Sequence, residues 1–184
     1  MKKIILIGDS IRLSYNDRVK QLLSDRAEVW GPADNCRFAK YTLWCINGWI
    51  NEGAQNIPDV IHWNNGIWDT FKISENLPVF TPLDEYLHTM EQIYTELKKY
   101  NAKILFATTT PVGEKFTADD NDVIDRYNNA ITAFMNDHGV PVNDLNSVIK
   151  SDMNRYIGED LLHLSAEGIE AAAQQVTSFI GKYL

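Results

Sequence analysis

The 184-residue sequence is poor in cysteine and histidine: it has two cysteines, Cys36 and Cys45, and four histidines. That scarcity excludes a disulfide framework, and no spacing among these residues resembles a metal ligand set. Apolar runs long enough to span a bilayer are also missing. The run Ile4-Ile5-Leu6-Ile7 follows Met1-Lys2-Lys3 as a signal peptide would. Gly8-Asp9-Ser10 ends it after four residues, so a buried strand explains it better. Basic residues are in deficit, with 17 Lys and Arg against 25 Asp and Glu, and the net charge is −8. A surface of that sign disfavours nucleic acid and anionic membranes as partners. Repeats, linkers and low-complexity tracts are absent. What remains is ordinary globular composition, 45% hydrophobic and 23% charged. The expectation is one domain over residues 1–184, soluble and cytoplasmic, with a full core.

Apolar runs alternate with helix-period segments along the whole chain. Strands are predicted at 3–7, 27–30, 60–63, 103–107 and 140–142. Helices are predicted over 17–24, 42–51, 120–138 and from Ser165 onward. A long helix is expected after Thr81, with Thr81 as N-cap and Pro82 in the first helical position. This alternation implies a parallel sheet covered on both faces, an α/β/α sandwich. In such sheets ligands bind beyond the carboxyl ends of the strands. The segment 70–81 is the longest predicted loop, and such loops often border a site.

Polar clusters sit at those strand ends. Ser10 ends the first one, where strand turns into helix. Its hydroxyl then lies above the sheet edge, with its own N–H beside it at the positive end of a helix. Nucleophile and oxyanion donor side by side suit acyl transfer. Ser10 as a plain helix cap is the competing reading. Gly8 leaves room for a substrate to approach the backbone. Near the other end, Asp160 and His163 are three residues apart in a tight turn. There a carboxylate can orient an imidazole as general base. Ser10, Asp160 and His163 together supply a triad, in that chain order.

These pieces resemble the SGNH hydrolases, also called the GDSL lipase/acylhydrolase family. The matching residues are Ile5-Leu6-Ile7-Gly8-Asp9-Ser10 and Asp160-Leu161-Leu162-His163-Leu164-Ser165 with Glu167-Gly168. Thr108-Thr109-Thr110-Pro111 and Arg126-Tyr127-Asn128 resemble weaker family features between them. The resemblance implies a flavodoxin-like five-stranded sandwich that hydrolyses carboxylic esters or thioesters without a cofactor. It implies Ser10 as nucleophile, His163 as base and Asp160 as its partner.

The family's two remaining oxyanion donors are altered. The second block reads Asn35-Cys36-Arg37-Phe38-Ala39-Lys40-Tyr41-Thr42 and puts Lys40 where the family has glycine. A backbone N–H survives that change, so the Lys40 amide is the expected donor, with the Arg37 and Ala39 amides as alternatives. A plain surface lysine is the competing reading. The third block reads His62-Trp63-Asn64-Asn65-Gly66-Ile67-Trp68-Asp69, with Trp68 in the family's asparagine position. Asn64 is the preferred replacement over Asn65, against a purely turn-forming role for both. Arg12 and Trp68 are the candidate substrate contacts, Arg12 for an anionic or polyhydroxylated group and Trp68 for a sugar ring or acyl chain. Core packing or a solvated helix face is the ordinary alternative for such residues.

The expected substrate is a small-molecule ester with a short acyl group, such as acetyl on a carbohydrate. A catalytically degenerate fold, kept as a carbohydrate- or partner-binding module, is the alternative. A nucleotide or flavin binder is a third, and the first turn lacks the glycine-rich phosphate loop it would need.

Overall fold

The structure, a computed structural model, describes residues 1–52, 57–74 and 76–184. Its strands are β1 (Lys2–Ile7), β2 (Ala27–Trp30), β3 (Val60–Trp63), β4 (Lys103–Ala107) and β5 (Val142–Asn143). They form one parallel sheet in the order β2-β1-β3-β4-β5. This is the expected flavodoxin-like order, and its direction of travel reverses between β1 and β3.

Why the chain folds into three layers is visible in β1. Ile4, Ile5, Leu6 and Ile7 are all fully buried. Side chains alternate along a strand, so a continuous apolar run needs cover on both faces. Ile4 and Leu6 join Val29, Val60 and Leu105 on one face. There they meet α1 (Ser10–Leu22), α6 (Leu145–Lys150) and α8 (Ala166–Ile180). Ile5 and Ile7 join Ile61, Trp63 and Phe106 on the other. That face is covered by α2 (Ala39–Asn51), α4 (Leu83–Lys98) and α5 (Asn121–Asp137). Each such side chain contributes roughly 1.5–3 kcal/mol on burial. A charge placed at Ile5 would therefore break the second face.

Local signals shift several boundaries from their predicted positions. Helix α1 starts at Ser10, the strand-to-helix turn expected there, and its cap is Asp9 rather than Ser10: the Asp9 carboxylate accepts the Ile11 N–H at 2.9 Å. Helix α4 starts at Leu83, one residue after the predicted start. Thr81 does not cap it: its N–H donates to the Asp69 carbonyl at 2.9 Å, and its hydroxyl bonds the Asp69 carboxylate. Strand β5 is Val142–Asn143 rather than 140–142. Pro141 has no N–H, but its carbonyl accepts from Phe106 at 3.0 Å. Three short helices, α3 (Ile67–Thr70), α6 and α7 (Met153–Tyr156), were not predicted. They are too short to show a period in sequence.

Candidate active site

Ser10 follows β1 and Trp68 follows β3, on the two sides of the point where the sheet order reverses. Ser10 is the first residue of α1, where a backbone N–H has no partner inside the helix. Across the strand ends, the segment before α8 folds back as a tight turn. Gly158 N–H donates to the His163 carbonyl at 2.7 Å, and Leu161 N–H to the Gly158 carbonyl at 3.0 Å. Leu161 takes the left-handed conformation, φ 64°, which leucine adopts only under constraint. The constraint is partly external, since Gly113 N–H holds the Leu161 carbonyl at 2.8 Å.

That turn aims two side chains. The Asp160 carboxylate accepts the backbone N–H groups of Leu162 and His163 through Oδ1, at 3.0 and 2.9 Å. Its Oδ2 lies 2.6 Å from His163 Nδ1. The acceptor there is a carboxylate, so Nδ1 carries the hydrogen and Nε2 presents a lone pair. Ser10 Oγ lies 3.0 Å from that Nε2. The hydrogen bond from the His163 side chain, then the two backbone N–H groups, hold the Asp160 carboxyl down at about 2. It is therefore ionised throughout the neutral range.

A cavity of about 400 Å³ opens on Ser10 and His163. Ile11, Ile67, Trp68, Phe71 and Leu162 make its wall apolar, and Asn35 adds an amide. Trp68 is 40% exposed and stands at the rim. The structure thus brings together Ser10, Asp160, His163 and Trp68 as expected, and Phe71 shows that the loop after α3 borders the site.

Three expected placements are corrected. Arg12 is 1% exposed and turned away from the cavity. Its guanidinium donates to the carbonyls of Gly8 (3.2 and 3.3 Å), Pro32 (2.9 Å) and Asp34 (2.9 Å). Its stem also fills the space over Gly8, where an added Cβ would come within 2.8 Å of Arg12 Cβ. Gly8 therefore makes room for Arg12, not for substrate. Lys40 lies in the first turn of α2, outside the cavity wall, and pairs with Glu85. Asn64 is also absent from that wall. It faces a void of about 10 Å³ beside Asp9 and Thr108, and its Nδ2 donates to the Ala107 carbonyl at 2.9 Å.

The buried neighbours of the site brace it. Asn65 is fully buried and makes five bonds, the longest from the Thr109 hydroxyl to its carbonyl at 3.4 Å. Its Oδ1 accepts from Trp63 Nε1 at 2.8 Å, and its Nδ2 donates to the Arg37 carbonyl and Thr42 Oγ1 at 3.0 and 2.9 Å. Its own carbonyl accepts from the Tyr86 hydroxyl at 2.8 Å. Asp69 accepts the Ala39 N–H at 3.0 Å, giving α2 the cap that Phe38 cannot supply. Burial pushes the Asp69 carboxyl up to about 7 and the Asp9 carboxyl up to about 6. Gly66 passes so close to Thr109 that a Cβ would sit 2.0 Å from Oγ1, so no other residue fits there. Asn35, Phe71 and Leu162 were not singled out from sequence as site residues. Asn35 meets the rest of the cavity only through the fold, the long loop hinted at Phe71, and Leu162 lies beside His163 in the sequence.

Among the described residues no group of three His, Cys, Asp or Glu is placed to hold a metal ion. No described helix is long and apolar enough to cross a membrane. Both cysteines are free.

Known structures share this architecture. The chain is similar to the acetyl xylan esterase AlAXEase at 22% identity, with a TM-score of 0.81 over 97% of this chain and 99% of that one. It is similar to the lipase/acylhydrolase from Enterococcus faecalis at 20% identity, with a TM-score of 0.82 over 100% and 97%. An acetylxylan esterase from Geobacillus stearothermophilus gives 17% identity and a TM-score of 0.81 over 98% and 94%. A search of curated proteins found no matching relative. The family model for the GDSL-like lipase/acylhydrolase family matches residues 6–171. With that match spanning nearly the whole domain, the chain belongs to the GDSL-like lipase/acylhydrolase family.

Proposed function

We propose that this protein hydrolyses carboxylic esters through an acyl-enzyme on Ser10. One observation carries the reading: Ser10 Oγ, His163 and Asp160 form a relay of 3.0 and 2.6 Å at the mouth of an apolar cavity. His163 Nε2 takes the Ser10 proton as Oγ attacks the ester carbonyl. The carbonyl π pair moves onto oxygen, where the Ser10 N–H binds it. The pair returns as the alkoxide leaves, and His163 hands the proton to that alkoxide. Water then repeats the sequence on the acyl-enzyme, again through His163. Asp160 stays ionised and stabilises the imidazolium formed in each half.

The favoured substrates carry short acyl groups, with acetyl esters of carbohydrates as the first choice. Two acetylxylan esterases among the structural neighbours support that choice. So does Trp68 at the rim, where an indole face can stack on a sugar ring. Ser10→Ala tests the reading. Hydrolysis of p-nitrophenyl acetate should fall roughly 10⁴-fold or more. A fluorophosphonate probe should label the wild type and not the variant. Retained turnover in Ser10→Ala refutes the mechanism, and an unlabelled wild type favours a binding module.

A further inference from the structure

A tetrahedral intermediate needs more than one fixed donor at the developing oxyanion. The Lys40 amide and the Asn64 side chain, the donors expected from sequence, both lie outside the cavity that opens on Ser10. Trp68 stands where the family carries an asparagine. The cavity wall nevertheless contains one carboxamide, that of Asn35.

Three features fix that carboxamide. Cys36 N–H donates to the Gly8 carbonyl at 3.2 Å, which lays the second-block loop along the end of β1, so that Asn35 and Ser10 line the same cavity. Asn35 Oδ1 accepts the Arg37 N–H at 2.9 Å, closing an Asx turn. That bond identifies the other terminus as the Nδ2 group, for whose hydrogens the described residues offer no acceptor. The flanking backbone is clamped as well. Arg12 grips the carbonyls of Pro32 and Asp34 on one side, each at 2.9 Å. On the other side Asn65 holds the Arg37 carbonyl at 3.0 Å. A donor held this firmly needs little reorganisation when charge appears, which is the property an oxyanion site requires.

We propose that Asn35 Nδ2 is an oxyanion donor, taking over from the second block the work of the third-block side chain that Trp68 replaces. The proposal rests on Ser10 being the nucleophile. As Ser10 Oγ bonds to the ester carbon, the carbonyl π pair becomes a lone pair on oxygen. Asn35 Nδ2–H and Ser10 N–H receive it, and release it when the C–O bond to the alcohol breaks.

The test compares kcat and KM for p-nitrophenyl acetate in wild type, Asn35→Ala, Asn35→Asp and Ser10→Ala, with thermal unfolding of each. Asn35→Asp keeps the acceptor for Arg37 N–H, so the loop retains its turn while the donor is lost. Both Asn35 variants should lose roughly 10²–10³-fold in kcat with KM little changed. Fluorophosphonate inactivation, which passes through a similar charged oxygen, should slow in parallel. Asn35→Ala turning over at nearly the wild-type rate while Ser10→Ala is inactive overturns the proposal and leaves the Ser10 mechanism standing. A change confined to KM overturns it too. Activity in Ser10→Ala removes the mechanism, and this proposal with it.

Discussion

Arg12 is the residue whose structure departs most from its expected role, and its removal has a calculable cost. In Arg12→Met the aliphatic stem remains and the guanidinium is lost. The Gly8 carbonyl keeps a partner, since Cys36 N–H still reaches it at 3.2 Å. The carbonyls of Pro32 and Asp34 lose the donors that held them at 2.9 Å. Each buried acceptor left unpaired costs about 1–3 kcal/mol. Asp9 also loses its nearest positive charge. Burial has already pushed that carboxyl up to about 6, so it takes a proton instead of bearing the full charge penalty. The two acceptors together cost about 2–6 kcal/mol, a large share of the roughly 5–15 kcal/mol that holds a domain together. With an unfolding entropy of about 2 cal/mol/K per residue over 184 residues, the melting temperature should fall by roughly 5–16 °C. Differential scanning calorimetry measures this directly, and esterase assays well below the transition give the catalytic effect. Arg12→Lys, which keeps the charge but not the fork, should fall between the two. A fall of under about 3 °C in Arg12→Met, combined with weakened binding of anionic esters alone, would refute the structural role and restore Arg12 as a substrate contact.

Gly113→Ala would place a Cβ 2.9 Å from Leu161 Cδ2 and 3.0 Å from its Cβ. The Asp160–His163 turn must then shift, and kcat should drop roughly 10–100-fold, with fold retained in circular dichroism. Trp68→Ala should widen the apolar wall, raising KM for acetyl esters up to roughly tenfold and improving turnover of longer acyl chains; an unchanged acyl-length profile would show that Trp68 does not bound the acyl site. Stability should rise on acidification from pH 8 to pH 6. The folded state holds the carboxyls of Asp9, Asp69 and Asp119 up at about 6, 7 and 6, above an ordinary value of 3.8, so it binds more protons than the unfolded chain between those limits. His62, held down at about 4 by burial, opposes this below its ordinary 6.5. The net gain is about 1 kcal/mol, read from urea midpoints, and Asp69→Asn should remove most of it. Asp160, at about 2, leaves the acid limb of the rate profile to other groups.

The parts of this protein legible in sequence are those encoded locally. Four strands were placed within a residue of their observed limits because buried parallel strands read as short apolar runs. The turn holding Asp160 and His163 could be read because its key contacts span three residues. What escaped depends on distant partners. Helix α2 begins at Ala39 without a capping side chain of its own, because Asp69 reaches it from 30 residues away. Thr81 looked like a cap and instead binds Asp69. Arg12 lies two residues past Ser10 on a helix, where an arginine reads as a substrate contact or a solvated residue. The Gly8 carbonyl and the loop at residues 31–36, folded over the end of β1, together surround it with acceptors.

That same loop explains how the site tolerates such altered family blocks. A glycine amide and an asparagine side chain are two separate ways of delivering N–H groups to one point in space. Neither residue is needed if another rigid segment passes that point. Here Trp68 lines the apolar wall, while Asn65 and Gly66 are locked to the second block and to Thr109. Asn65 in the third block thereby steadies the second-block loop at the Arg37 carbonyl. Arg12 steadies the same loop from beneath. With Asn35 as the proposed donor, stability at Arg12 and catalysis at Asn35 should be coupled through residues 31–37, and Arg12→Lys should lose kcat as well as melting temperature. A double-mutant cycle with Asn35→Ala should then be strongly non-additive in kcat, since the positioning residue has nothing left to position once the amide is gone. Additive losses would mean that Arg12 and Asn35 act independently, and the coupling would have to be abandoned.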